Sequence, residues 1–151
     1  MIEKLQEQFG NKIGEVWVKN SRRTFVSVIS ENIPEILGYM CLDLGGRFST
    51  ATALDNRASI EILYHVAFDK LSLVITLRTF IAKPECVIPT SALLVPATEW
   101  VEREIHEMFG VNFIGHPQLE TLLLPDDWPQ GVFPLRKKTF ESEAENEMRE
   151  N

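Results

Sequence analysis

The sequence predicts a two-layer α+β domain followed by a helix and an extended C-terminal arm. Three observations predict it. Ile33, Ile36, Leu37, Met40, Cys41 and Leu44 form one apolar stripe at helical spacing. Residues 59–68 and 71–79 alternate apolar and polar side chains, the pattern of strands covered on one face. After Pro96 the chain gives a short acidic helix and then a long aperiodic run that stays apolar. The expected organisation is an α+β domain over 1–96, the helix and arm over 97–138, and an acidic tail over 139–151.

Each element has a local reason. Residues 2–9 read as a short helix stopped by Gly10, and Gly14–Lys19 and Arg23–Ile29 as two β-rich strands around Asn20-Ser21-Arg22. Asn32 caps the next helix, with Glu35 at the capping-box position and Gly45-Gly46 as the stop. Cys41 belongs to its buried stripe. Arg47–Leu54 is a third strand. In Ser59–Phe68, Ile60, Ile62, Tyr64, Val66 and Phe68 share one face. Leu71–Thr79 turns Leu71, Leu73, Ile75 and Leu77 inward and Ser72, Thr76 and Arg78 outward, after a tight Asp69-Lys70 hairpin. The sheet is expected to be antiparallel, with the 33–44 helix as its cover. Thr98 caps the last helix, Glu99, Glu102 and Glu104 load its positive end, and Gly110 closes it. Val101, Ile105, Met108 and Phe109 form its apolar side, and Trp100 faces either the sheet or a partner.

Composition narrows the function classes. The chain of 151 residues is 44% hydrophobic and 25% charged, ordinary for one soluble domain. Its formal charge of −7 argues against a nucleic-acid or acidic-membrane footprint, and five glutamates and one arginine in Phe140–Asn151 leave the remainder at −3. No apolar run approaches the ~20 residues of a membrane span, and the N-terminus lacks a signal-peptide layout. Cys41 and Cys86 are expected to be reduced thiols of a cytoplasmic chain, too few for the four thiolates of an iron–sulfur cluster.

Few residue patterns in the chain point to chemistry. There is no nucleophile elbow, no phosphate loop, and no interleaving of basic and aromatic residues. One metal reading stands as a rival: Glu102 and His106 at i, i+4, with His116 in the next loop, as a zinc set. The plainer reading makes Glu102 and His106 a helix-surface pair and gives His116 the Gly-His-Pro turn. Leu122–Leu124, Trp128, Phe133 and Leu135 either pack on their own domain or form the core of an interface, and residue chemistry leaves both open. Arg136-Lys137-Lys138, directly after Pro134-Leu135, suits a docking contact through carboxylates.

This stretch resembles a known family. Glu102-Arg103-Glu104, then Glu107-Met108-Phe109-Gly110, Gly115-His116-Pro117 and Pro134-Leu135-Arg136-Lys137 are similar to the signature of the C subunit (thirty-kilodalton subunit) of respiratory complex I. The equivalent subunit of energy-converting membrane-bound nickel–iron hydrogenases belongs to the same family. The resemblance implies a non-catalytic, cofactor-free subunit in the peripheral arm on the cytoplasmic side of the cell membrane. It would dock on the large catalytic subunit, with iron–sulfur and nickel–iron centres in partner subunits. By the same analogy the docking surface comprises Trp100, Glu102, Arg103, Glu104, Phe109, Gly110, Gly115, His116, Pro117, Trp128, Leu135, Arg136 and Lys137. Complex I members usually carry a basic residue at the position of Glu120 and an acid at that of Lys138. Together with Leu122–Pro129, these departures point to the hydrogenase branch, with a complex I-type NADH:quinone oxidoreductase as the alternative.

Overall fold

The computed structural model describes residues 1–137. In chain order the elements are α1 (Ile2–Phe9), β1 (Ile13–Asn20), β2 (Arg23–Val28), α2 (Ile33–Leu42), β3 (Arg47–Asp55), β4 (Ser59–Phe68) and β5 (Leu73–Ala82). Then come β6 (Val87–Pro89), α3 (Glu99–Phe109) and β7 (Asn112–Ile114). The fold is α+β, as the sequence predicts. The acidic tail falls outside the described residues.

The alternation that predicts β4 also places the core. Ile60, Ile62, Tyr64 and Val66 are fully buried on one face, beside Val26, Ile75 and Leu77 from neighbouring strands. Against them lie Ile33, Ile36, Leu37 and Met40 of α2, with Leu5 and Phe9 of α1. Phe9 meets Tyr39 edge to face at 5.2 Å. Each fully buried aliphatic side chain contributes roughly 1.5–3 kcal/mol, so this face dominates the fold's stability. Ile105 and Phe109 of α3, with Val111 and Phe113, belong to the same cluster.

The sheet is mixed, not antiparallel throughout. Its order is β1-β2-β5-β4-β3, and β2 pairs parallel with β5 from Arg23↔Val74 to Ser27↔Arg78. The cause is topological. After β2 the chain crosses through α2 and the β3–β4 hairpin, and then inserts β5 between β2 and β4. A parallel pair needs such a crossover, and α2 supplies its helical part.

Other local expectations change too. Asp69–Leu71 forms a 3₁₀ turn ending at Ser72, whose φ is +48°, so β5 starts at Leu73 and Leu71 is 56% exposed. Thr76 keeps its expected outward face but is covered there by its cross-strand neighbours, its hydroxyl 2.9 Å from His65 Nδ1. Neither Asn32 nor Thr98 makes a side-chain cap bond. Glu35 pairs instead with Lys12 at 2.6 Å, and the Thr98 hydroxyl donates to the Val95 carbonyl. Helix α2 ends at Leu42, before the glycines, and Cys41 is half-buried. A feature without a sequence signal is the short parallel pair β6–β7, which ties the Pro-punctuated stretch before α3 to the segment after it.

Candidate docking site

Helix α3 is the spine of the predicted site. Glu99 and Glu102 occupy its first turn, and Gly110 ends it in the left-handed region at φ +67°, its N–H on the His106 carbonyl. Glycine is required there twice over. A Cβ at Gly110 would also sit 2.5 Å from the Phe133 ring of the arm.

Glu102 is not on the surface. Its exposure is 0%. Oε2 lies 2.5 Å from the Thr90 hydroxyl and Oε1 accepts the Ser91 N–H at 2.9 Å. Burial pushes its pKa up to about 7, against the opposing pull of the Thr90, Ser91 and Thr98 groups. His116 Nε2 is 4.0 Å away. Its Nδ1 accepts the Gln118 N–H, which leaves the proton on Nε2, donated to the Glu99 carbonyl. Tyr64 Oη and Ser91 Oγ, also buried, have no partner in hydrogen-bonding geometry among the described residues.

The expected Glu102–His106 surface pair is therefore corrected. Glu102 faces inward because Thr90 and Ser91 lie under it, while His106 Nδ1 donates to the Val111 carbonyl at 2.8 Å. The same geometry separates the rival metal set. Among the described residues no group of three His, Cys, Asp or Glu side chains is placed to hold one ion.

One turn further on, Glu107 belongs to the family string but not to the predicted docking set, and its role comes from contacts distant in the chain. It is 6% exposed and accepts three consecutive backbone N–H groups of the arm, from Leu122, Leu123 and Leu124, at 3.1, 2.9 and 2.9 Å. Burial raises its pKa, but those donors and the Arg103 charge outweigh it, so the carboxyl titrates below its usual range. Arg103, at i, i+4 from Glu107, donates to the carbonyls of Glu120 and Thr121 at 3.1 and 2.8 Å. The arm is fixed again at its far end. Leu135 N–H donates to the Met108 carbonyl, Arg136 Nε to the Phe109 carbonyl at 2.7 Å, and Arg136 Nη2 lies 3.2 Å from the buried Cys86 Sγ. Lys137 N–H reaches Asp55 Oδ2 at 2.8 Å, and Lys83 binds the other oxygen.

The predicted residues thus divide. Glu102, Arg103, Phe109, Gly110, His116 and Arg136 act within the chain, shaping the arm against α3. Gly115 takes φ +82° and leads into the exposed Pro117. Trp100 is 66% exposed, Leu135 54% and Trp128 37%. Leu123 and Val132, absent from the predicted set, are also exposed. Glu104 and Lys137 are exposed charges. Trp128 is held in place, its indole N–H on the Val132 carbonyl at 2.8 Å. Internal polar bonds fix an arm that turns Leu123, Trp128, Val132 and Leu135 outward, while Leu122, Leu124 and Phe133 are partly covered by the chain itself.

Residues 26–145 match the model of the family described as respiratory-chain NADH dehydrogenase, 30 Kd subunit. The C subunit of the NADH-quinone oxidoreductase of Citrifermentans bemidjiense is 33% identical over 140 residues, covering 90% of this chain and 85% of the relative. Formate hydrogenlyase subunit 5 of Escherichia coli is 30% identical over 91% of this chain, which spans only 25% of that protein. Among solved structures, a chain of the membrane-bound sulfane sulfur reductase, an archaeal respiratory membrane complex, superposes with a TM-score of 0.80 at 25% identity. That match covers 98% of this chain and 89% of the other. A trypsin-resistant fragment of Nqo5 shares the fold at a TM-score of 0.64 and 17% identity, over 78% of this chain and 98% of the fragment. The chain belongs to the respiratory-chain NADH dehydrogenase 30 Kd subunit family.

Proposed function

We propose that this chain is a non-catalytic peripheral-arm subunit of a membrane-bound energy-converting hydrogenase complex. It docks on the large, hydrogenase-like catalytic subunit and supports assembly of ferredoxin/hydrogen electron transfer coupled to ion translocation. The observation that carries the reading is the α3–arm unit, held by bonds internal to the chain while Trp100, Leu123, Trp128, Val132 and Leu135 stay uncovered. Large aromatic and aliphatic side chains on a fixed backbone are the usual anchors of a protein interface. The similarity to formate hydrogenlyase subunit 5 supports the hydrogenase branch, and the similarity to a chain of an archaeal respiratory membrane complex is consistent with it. The similarity to the C subunit of an NADH-quinone oxidoreductase favours the second reading, the same role in a complex I-type enzyme.

The chain needs no cofactor of its own for this role. Its two cysteines cannot complete a four-thiolate cluster, and Cys86 is buried under Arg136. Attachment to the membrane would be peripheral, through partners on the cytoplasmic side, as the family resemblance implies; no helix among the described residues is long and apolar enough to cross a bilayer. Affinity purification of the tagged chain from solubilised membranes tests the reading. The expected result is a stoichiometric large subunit and iron–sulfur absorbance in the complex, with none in the isolated chain. Visible iron–sulfur absorbance in the isolated chain would overturn it. Hydrogen-dependent against NADH-dependent dye reduction by the purified complex separates the two branches.

A further inference from the structure

The helices all bury one face of the five-stranded sheet, and the opposite face has its own chemistry. Strand pairing places Trp17, Phe25, Thr76 and His65 in one row across it. Leu54, Glu61 and Phe80 form another. An uncovered antiparallel face is normally polar. Here Trp17 is 52% exposed, Phe80 49% and Leu54 46%, and Trp17 stacks on Phe25 at 5.1 Å.

The charges on this face are unequal. Glu61 is already bound by Arg78 at 2.5 Å and by Asn56. Beside the aromatic pair lies a depression of about 290 Å³ lined by Arg23, Phe25, Ser49, His65, Val74 and Thr76. His65 meets hydroxyls at both ring nitrogens, Thr76 at 2.9 Å and Thr52 at 3.2 Å. Burial first, and Arg23 second, hold it below its ordinary pKa. At neutral pH the charge of the depression is therefore the Arg23 guanidinium, and among the described residues no carboxylate lines it.

We propose that this outer face is a second docking surface, for a segment of a neighbouring subunit that presents one Asp or Glu flanked by apolar side chains. The carboxylate enters the depression at Arg23, where a bidentate pair is available. The flanking apolar groups cover Trp17, Phe80 and Leu54. A second copy seated face to face is a poorer occupant, because it brings Arg23 and Arg78 against a face whose Glu61 is already bound. The inference rests on the assembly reading above but uses the side of the molecule away from α3 and the arm.

Hydroxyl-radical footprinting of the full chain, free and within the purified membrane complex, tests it. The expected result is at least a fivefold fall in oxidation of Trp17 and Phe80 on assembly, and at least a tenfold fall in recovered complex for Arg23→Glu. Arg23→Lys should retain most of the yield. Equal labelling of Trp17 and Phe80 in an intact complex, or unchanged recovery of Arg23→Glu, overturns the surface while leaving the assembly reading in place. If no complex is recovered with the wild-type chain, the assembly reading fails and the surface with it. Protection already present in the free chain also overturns the proposal. It points to self-association if it depends on concentration, and to the acidic tail if it is lost on removing residues 139–151.

Discussion

Two glutamates on one helix, Glu102 and Glu107, are both buried and yet titrate in opposite directions. Glu102 has one backbone N–H and the Thr90 hydroxyl as its donors, and burial wins. Glu107 has three backbone N–H groups and the Arg103 guanidinium nearby, and the donors win. The difference follows from both depth and donors: Glu102 is fully covered with few donors, while Glu107 lies nearer the surface and accepts three backbone N–H groups. It also divides the labour of the helix. The Glu102 side joins α3 to its own domain, and the Glu107 side joins α3 to the arm.

Truncating Glu107 removes the acceptor those donors share. Glu107→Ala leaves three N–H groups of the arm without an acceptor, a loss of roughly 3–5 kcal/mol of local stability. Amide exchange at Leu122–Leu124 should then accelerate at least a hundredfold, while the amides of β4 and β5 keep their protection. If exchange at those three amides is unchanged, Glu107 does not hold the arm. Lowering the pH below the usual carboxylate range should loosen the same amides in the wild-type chain. A depressed native pKa confers stability present above the unfolded value and lost as pH falls through the folded one.

Glu102 gives the opposite sign. Its native pKa, raised to about 7, means that its contribution is fully present below the ordinary carboxylate value of about 4.3. That contribution declines as pH rises between the two, and is lost above about 7. The span corresponds to a stability change on the order of 3 kcal/mol at most. Glu102→Gln should flatten that part of the profile in denaturant melts from about pH 4 to 8. Parallel profiles for wild type and variant would show that Glu102 is not the group responsible. Gly110→Ala comes next in size. It forces a side chain into the left-handed region at about 1–2 kcal/mol and must also displace Phe133, so near-ultraviolet circular dichroism should change with the stability. Unchanged melts would mean that the helix end relaxes at little cost.

Structure is legible in the sequence where a single period decides it. Alternation from Ile60 to Phe68 and the stripe from Ile33 to Met40 each carry their own evidence, and both land in the core. Distant partners leave no such mark. Whether β5 runs parallel to β2 depends on insertion between β2 and β4, which no window of residues contains. Glu102 and Glu107 look alike in sequence. One is explained only by Thr90 and Ser91, and the other only by the backbone of Leu122–Leu124. The string of family motifs could be read without knowing these partners. The division of its residues between arm-holding and outward display could not.

The smallest expected effect on stability is also the most direct test of that division. Arg136 spans two jobs: its guanidinium holds the Phe109 carbonyl and lies over the Phe133 ring at 4.9 Å, while Lys137 turns its side chain out. Lys137→Ala alone removes an exposed charge and should leave the melting curve within about 0.5 kcal/mol of wild type. Arg136→Ala should loosen the arm by about 1–2 kcal/mol, and the double variant should add little to that stability loss. Complex recovery is the second axis. If Lys137 contacts the large subunit, the double variant assembles less well than Arg136→Ala alone, although the two are equally stable. Equal recovery would place the whole effect in the arm's internal clamp and remove Lys137 from the docking surface.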